Sequence, residues 1–240
     1  MSENGPVLTG LRKIRKGPLR EQVRDQIKNL ILTNYLRPGQ PIVIDRLASE
    51  LGVSHTPVRE ALAMLEHEGL VETRPYGTPQ VAEIDASHVH NVWEMRLLLE
   101  GWAVKRSVLR LPEEAFDELE QFLESARREA RQSRYEAHVQ SDIAMHNLIL
   151  QATDNSLFER MARLVSDQSI RVRWLVETIA TVEEVLEIID EHLALLDALR
   201  ARDPELAHQR LTLHLKAGLE RQLNALERMK MEPVSRESDR

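Results

Sequence analysis

The chain contains no cysteine. Disulfides and thiolate metal sites are thereby excluded, and any bound metal must take histidine or carboxylate ligands. Aromatic residues make up only 4% of the sequence and glycine occurs nine times in 240 residues, which leans away from an all-β design and toward helices. No apolar run approaches the roughly 18 residues that a membrane-spanning helix needs, and the N-terminus lacks a signal-peptide core. A cytoplasmic protein with no membrane partner is the expectation. What the chain does have is 42% hydrophobic residues, enough for real cores, and 30% charged residues for a solvated surface. The length suits one large domain or two small ones.

A net charge of −7 argues against nucleic acid only if it is spread evenly, and it is not. Residues 1–84 hold 11 Lys and Arg against 10 Asp and Glu, whereas residues 85–240 hold 21 against 29. Segment 11–24 concentrates Arg12, Lys13, Arg15, Lys16, Arg20 and Arg24 against Glu21 alone. It reads either as an arm for phosphates or as a solvated tail; residues 1–17 are expected to be disordered.

Residues 43–70 carry the clearest local signal. Leu47, Ala48 and Leu51 form a short apolar stripe that Gly52 ends, a stop that suits a residue without Cβ. Ser54 is the expected N-cap of a second helix with Pro57 in its first turn. Val58, Ala61, Leu62 and Leu65 make that helix's buried side, leaving Ser54, His55, Thr56, Arg59 and Glu60 at its exposed N-terminal end. Apolar residues behind and hydrogen-bonding groups at the tip are what a helix–turn–helix presents to a major groove. An ordinary helix pair in an all-α domain is the bland alternative. Before this pair, residues 18–36 follow a 3.6-residue period, and Pro41–Val43 suggests a short strand. After it, Val71–Arg74 and Pro79–Ala82 flank a turn as a hairpin wing. The period changes near Ile84, where a domain boundary is placed. Six amphipathic helices follow, at about 86–109, 112–132, 135–152, 156–177, 181–201 and 204–228, with a disordered tail over 229–240. The fold class expected is mainly α: a winged helix–turn–helix at 18–84 and an antiparallel six-helix bundle at 85–228.

Three bundle helices place polar groups on their apolar stripes. Asp142 and His146 are i, i+4 partners, His192 lies among Ile188, Ile189, Leu195 and Leu196, and His214 follows Leu211. Singly, each histidine reads as a satisfied core residue. Together they suggest convergence, because a buried carboxylate needs a partner. His192 and His214 are equidistant from the turn at Asp203, so at about 1.5 Å per residue they stand at similar heights on antiparallel helices. Three histidines and a carboxylate suit Zn²⁺, Ni²⁺ or Mn²⁺.

The run LGVSHTPVREALAMLEHEGLV resembles the winged helix–turn–helix of the GntR family of bacterial transcription regulators, and EHLALLDALRARDPELAHQRLTLHL resembles the FCD effector domain of its FadR-type subfamily. Six rather than seven bundle helices looks like the VanR-type branch. The resemblance implies a metal on Asp142, His146, His192 and His214. It also implies that Arg96, in an R-x3-E setting with Glu100, holds an effector carboxylate, a task its fork suits; an exposed i, i+4 ion pair is the alternative. Arg171 and Arg173 are weaker candidates, and His88, His90, His138 and His208 read as surface. Thr56 and Arg59 match the DNA-binding pattern, Arg46 and Arg74 are candidate phosphate contacts, and Gly77 matches the wing glycine. His55 replaces the usual Arg, and Asp45 stands where some members carry Arg toward the backbone.

The expectation is therefore a regulator, most simply a repressor, that reads an inverted repeat in double-stranded operator DNA as a homodimer. Its recognition helices would lie about 34 Å apart, and a small carboxylate or sugar acid would act at the metal. Two other readings compete with it: a metal-dependent hydrolase fused to a DNA-binding domain, for which the chain lacks an H-E-x-x-H motif, and a regulator whose histidines bind an acid without metal.

Overall fold

The computed structural model describes residues 18–231 except Pro75 and Tyr76, so the segment 1–17 and the tail from 232 lie outside the described residues. The chain divides between Ile84 and Asp85 into two compact units.

In the first unit, α1 (Leu19–Leu32), α2 (Ile44–Leu51) and α3 (His55–His67) pack around one cluster. Val23, Ile27 and Leu30 of α1 meet Leu47 of α2 and Val58, Ala61, Leu62 and Leu65 of α3. Helix α1 stops four residues before the position its periodicity suggests. Asn34 turns into the left-handed region (φ 58°), and the Leu36 N–H donates to Leu30 O, closing the helix while still burying Leu36. Gly52 ends α2 at φ 66° with Val53 N–H donating to Ala48 O, a backbone closure that suits a residue without Cβ. Ser54 occupies the N-cap position of α3 in extended backbone, but its side chain makes no capping hydrogen bond. The wing is a short antiparallel pair, β1 (Val71–Glu72) and β2 (Gln80–Val81), in register Val71 with Val81. The strand anticipated at 41–43 shrinks to a bridge between Pro41 and Gln80, because proline has no N–H to extend the ladder.

The second unit holds six further helices among the described residues: α4 (Ala86–Ser107), α5 (Glu113–Ala130), α6 (Glu136–Gln151), α7 (Ser156–Glu177), α8 (Val182–Arg200) and α9 (Pro204–Met231). Four of these six starts carry a side-chain cap. Asp85 accepts from His88 N–H, Asn155 accepts from Phe158 N–H, and Thr181 and Glu184 form a reciprocal capping box. Asp203 Oδ1 accepts from the first N–H groups of α9 at 3.0 Å. Helix α4 packs on α9, α6 and α7, while α8 packs on α5 and α9. Helix α9 continues through Met231, three residues past the end read from the sequence. No helix of the described residues is long and apolar enough to cross a membrane.

Candidate functional site

Helix α6 turns one face entirely inward, burying His138, Asp142 and His146 on successive turns beside Val139 and Ile149. Helix α8 brings His192 to the same level and α9 brings His214; both are buried. One ligand atom each from Asp142, His146, His192 and His214 lies within 4.8 Å of the others. Asp142 Oδ1 is 3.3 Å from His192 Nε2 and 3.7 Å from His146 Nε2, and His146 Nε2 is 3.2 Å from His214 Nε2.

Two carboxylates behind the cluster decide which way the imidazoles face. Glu100 Oε2 lies 2.6 Å from His146 Nδ1, and Glu191 Oε2 lies 2.7 Å from His214 Nδ1. Glu100 is itself held by Arg96 Nε at 2.6 Å, and Glu191 accepts two hydrogen bonds from Arg221, at 2.7 and 2.6 Å. An ionised carboxylate takes the Nδ1–H, so each ring's lone pair sits on Nε2. The 3.2 Å approach of those two atoms then brings lone pair against lone pair. Neither ring nitrogen of His192 has a hydrogen-bond partner, and Asp142 Oδ1 lacks one with acceptable direction. Leaving such groups buried and unsatisfied is costly. A divalent cation would satisfy all four at once.

The protonation states match that need. Burial opposes charge on Asp142, yet Arg173, with Nη1 2.5 Å from Oδ1, and the neighbouring histidines hold its carboxyl well below the usual range. Burial keeps His146 and His214 neutral, pushing His214 down to about 3. Despite their burial, Glu100 is lowered to about 2 by Arg96 and His146, and Glu191 to about 2 by its hydrogen bonds from His214 and Arg221.

Cavities flank the cluster on two sides. The smaller, about 360 Å³, is lined by Arg96, Asp142, His146, Ser166, Ser169 and Arg173 among others. The larger, about 560 Å³, is bounded by His214, Arg173, Trp93 and His138 with residues of α7, α8 and α9. Arg96 is buried rather than exposed. Its guanidinium lies 4.4 Å from the Trp93 ring centre and its Nη1 has no partner, so it is at once an ion-pair member and a cavity-lining group.

Several groups escaped the sequence. His138, read as surface, is 1% exposed, and burial lowers it to about 3; its i, i+4 spacing ahead of Asp142 was the available signal. Arg173, of ambiguous rotation in the sequence, sits directly on Asp142. Arg171 is also buried, donating to Gln168. Glu191 and Arg221 had no signal, because their place depends on how α8 and α9 are aligned. Glu177 is raised to about 8, chiefly by burial.

In the first unit, Ser54, His55, Thr56, Arg59 and Glu60 are all exposed at the start of α3. Arg59 has no partner among the described residues. His55 Nε2 lies 3.2 Å from Asp45 Oδ1, so the two departures from the family pattern adjoin each other. Arg46 is half-buried and its Nε donates to Glu50 at 2.8 Å. Arg74 and Gly77 are exposed on the wing, where Gly77 N–H donates to Arg74 O at 2.8 Å.

Residues 91–217 match the FCD domain family, and residues 19–78 match the bacterial regulatory proteins of the gntR family. The HTH-type transcriptional repressor NanR of Cronobacter sakazakii is 25% identical over 227 residues, covering 87% of this chain and 86% of its own. The HTH-type transcriptional repressor RspR of Escherichia coli is 26% identical over 199 residues, covering 83% and 86%. Among solved structures, E. coli McbR/YncC superposes with a TM-score of 0.78 at 23% identity, over 88% of this chain and 99% of that one, a likeness of fold.

Proposed function

The chain belongs to the FCD-domain transcription regulators of the gntR family, which are not enzymes, and from that premise we propose a bacterial repressor controlled by a small acid at a metal centre. The observation that carries this reading is the cluster itself: an ionised aspartate and three histidines, buried together with their lone pairs converging. Asp142, His146, His192 and His214 would hold Zn²⁺, Ni²⁺ or Mn²⁺, with Glu100 and Glu191 orienting two of the imidazoles. The ion supplies positive charge and open coordination positions for a carboxylate or sugar acid. Arg96, whose Nη1 is unpartnered beside the smaller cavity, supplies a donor fork for the same group.

Operator contact falls to the exposed end of α3, with Ser54, His55, Thr56 and Arg59 toward bases, and Arg46, Arg74 and Gly77 toward the backbone. A homodimer is supported by an apolar surface of the second unit. Met95, Leu98 and Trp102 on α4 and Leu157, Met161 and Leu164 on α7 are 37–67% exposed, and these two helices pack on each other. Solvent-exposed apolar patches of this kind mark interaction sites. The working place of such a protein is the bacterial cytoplasm, on the nucleoid.

One contact favours a metal-free variant of this reading: Arg173 already supplies a positive charge to Asp142 at 2.5 Å. Metal analysis of protein purified without an affinity tag decides between them. About one zinc, nickel or manganese per chain, with operator affinity that changes when an acid is added, is the expected result. Protein free of metal that still responds to acids would leave the metal out.

A further inference from the structure

Resting on the metal reading above, we propose that Arg173 is a tethered counter-ion that a divalent cation displaces: it neutralises Asp142 in metal-free protein and passes to Glu177, one turn along α7, when the ion binds. Arg173 Nη1 lies 2.5 Å from Asp142 Oδ1, the same oxygen that approaches His192 Nε2 at 3.3 Å and His146 Nε2 at 3.7 Å. Guanidinium and ion therefore compete for one atom. The approach of Arg173 is close but not directed as a hydrogen bond, since Oδ1 has no partner of acceptable direction. A divalent ion on that oxygen would bring like charge beside a buried guanidinium, where water screens little.

Glu177 is placed to receive it. Residues 173 and 177 are i, i+4 neighbours on α7, the spacing at which helical ion pairs form. Yet Glu177 Oε1 is shut away from solvent with no hydrogen-bond partner, and burial raises its carboxyl to about 8. Glu177 is also the last residue of α7, where the helix dipole disfavours negative charge. A carboxylate in such a place costs stability unless a cation joins it. Arg173 and Glu177 both border the larger cavity, which leaves room for the guanidinium to swing. The other cations of that wall are committed: Arg221 gives both Nη groups to Glu191, and Arg228 pairs with Glu184. His138 is held neutral by burial, at about 3. The charged groups that act on Glu177 are Arg173 and Asp142. After the exchange charge balances in pairs, Asp142 with the ion and Glu177 with Arg173, and the Glu177 proton leaves to the buffer.

The test is calorimetric titration of chelator-stripped full-length protein with Zn²⁺ near neutral pH, in buffers of low and high ionisation enthalpy, which counts the protons released. Glu177→Gln should release about one proton fewer than wild type and bind Zn²⁺ roughly tenfold more weakly, as loss of one charge-assisted hydrogen bond dictates. Arg173→Gln keeps a donor for Asp142 but has no charge to pass on. In that background Glu177→Gln should leave the proton count unchanged and the affinity within about twofold. Equal proton counts or equal affinities for wild type and Glu177→Gln overturn the exchange, and this comparison stands alone if the Arg173 variant fails to fold. A Glu177→Gln effect that persists in Arg173→Gln overturns it too, because Glu177 would then answer the ion directly. Zinc that fails to bind wild-type protein at all removes the metal centre itself, a failure distinct from zinc that binds without the exchange.

Discussion

Glu191→Gln isolates the orienting role of a carboxylate that touches no metal position. Glu191 Oε2 takes the His214 Nδ1–H at 2.7 Å, and both its oxygens are held by Arg221. The amide keeps the shape but not the charge, and one of its ends is now a donor. Turned toward His214 it removes the partner that places the lone pair on Nε2; turned toward Arg221 it sets donor against donor. Loss of such an orienting partner weakens metal binding by about 10- to 100-fold, or about 1.4–2.7 kcal/mol. At a free zinc concentration about 1,000 times the wild-type dissociation constant, binding adds about 4.1 kcal/mol to stability. A roughly 30-fold weaker site leaves about 2.1 kcal/mol at the same zinc. Competition against a chromophoric chelator measures the affinity, and urea unfolding with and without zinc measures the linkage. Zinc affinity within twofold of wild type would refute the orienting role, even if the metal-free protein lost stability through the broken Arg221 contact.

Arg59→Ala should weaken operator binding by about 1–3 kcal/mol while leaving zinc content and circular dichroism unchanged; anisotropy against an operator selected from random duplexes reads it, and unchanged affinity removes Arg59 from the contact surface. Leu98→Asp, at a position 67% exposed on α4, should shift sedimentation from dimer to monomer with little change in monomer fold, and an unshifted dimer places the interface elsewhere. In chelated protein, His138 and His214 stand at about 3 against an ordinary 6.5, so the unfolded chain binds more protons between those values and stability falls as pH drops from 6.5 to 3. Glu177 acts in the opposite sense: at about 8 against an ordinary 4.5, it holds a proton only when folded and costs stability as pH rises from 4.5 to 8. Stability measured by urea unfolding should therefore peak near pH 6.5, and Glu177→Gln should remove the decline above it; a decline that persists in this variant assigns it to another group.

Much of the fold was legible because helices announce themselves locally. Apolar spacing within one segment marked the core faces of α2 and α3, and Asp85, Asn155, Thr181 and Asp203 accept from backbone N–H groups at helix starts. The end of α1 is not legible in this way, since Asn34 leaves the helix for the left-handed region although the apolar period continues to Leu36. Ser54 shows the same limit on a smaller scale: the residue type fitted an N-cap, but its side chain makes no capping hydrogen bond.

Asp142, His146, His192 and His214 could be picked out from the sequence because each interrupts an apolar stripe, and burial makes that an anomaly one segment can display. Their surroundings could not. Glu191 is next to His192 in the chain yet serves His214, Glu100 on α4 serves His146 on α6, and Arg173 on α7 reaches Asp142. Helix periodicity says which face of a segment turns inward; how far one helix slides and rotates against another is set by the packing of all six. The amino-acid order by itself thus determined that these four polar side chains would be buried. Only the tertiary arrangement decided which carboxylate orients each ring, and which side chains close around the cluster.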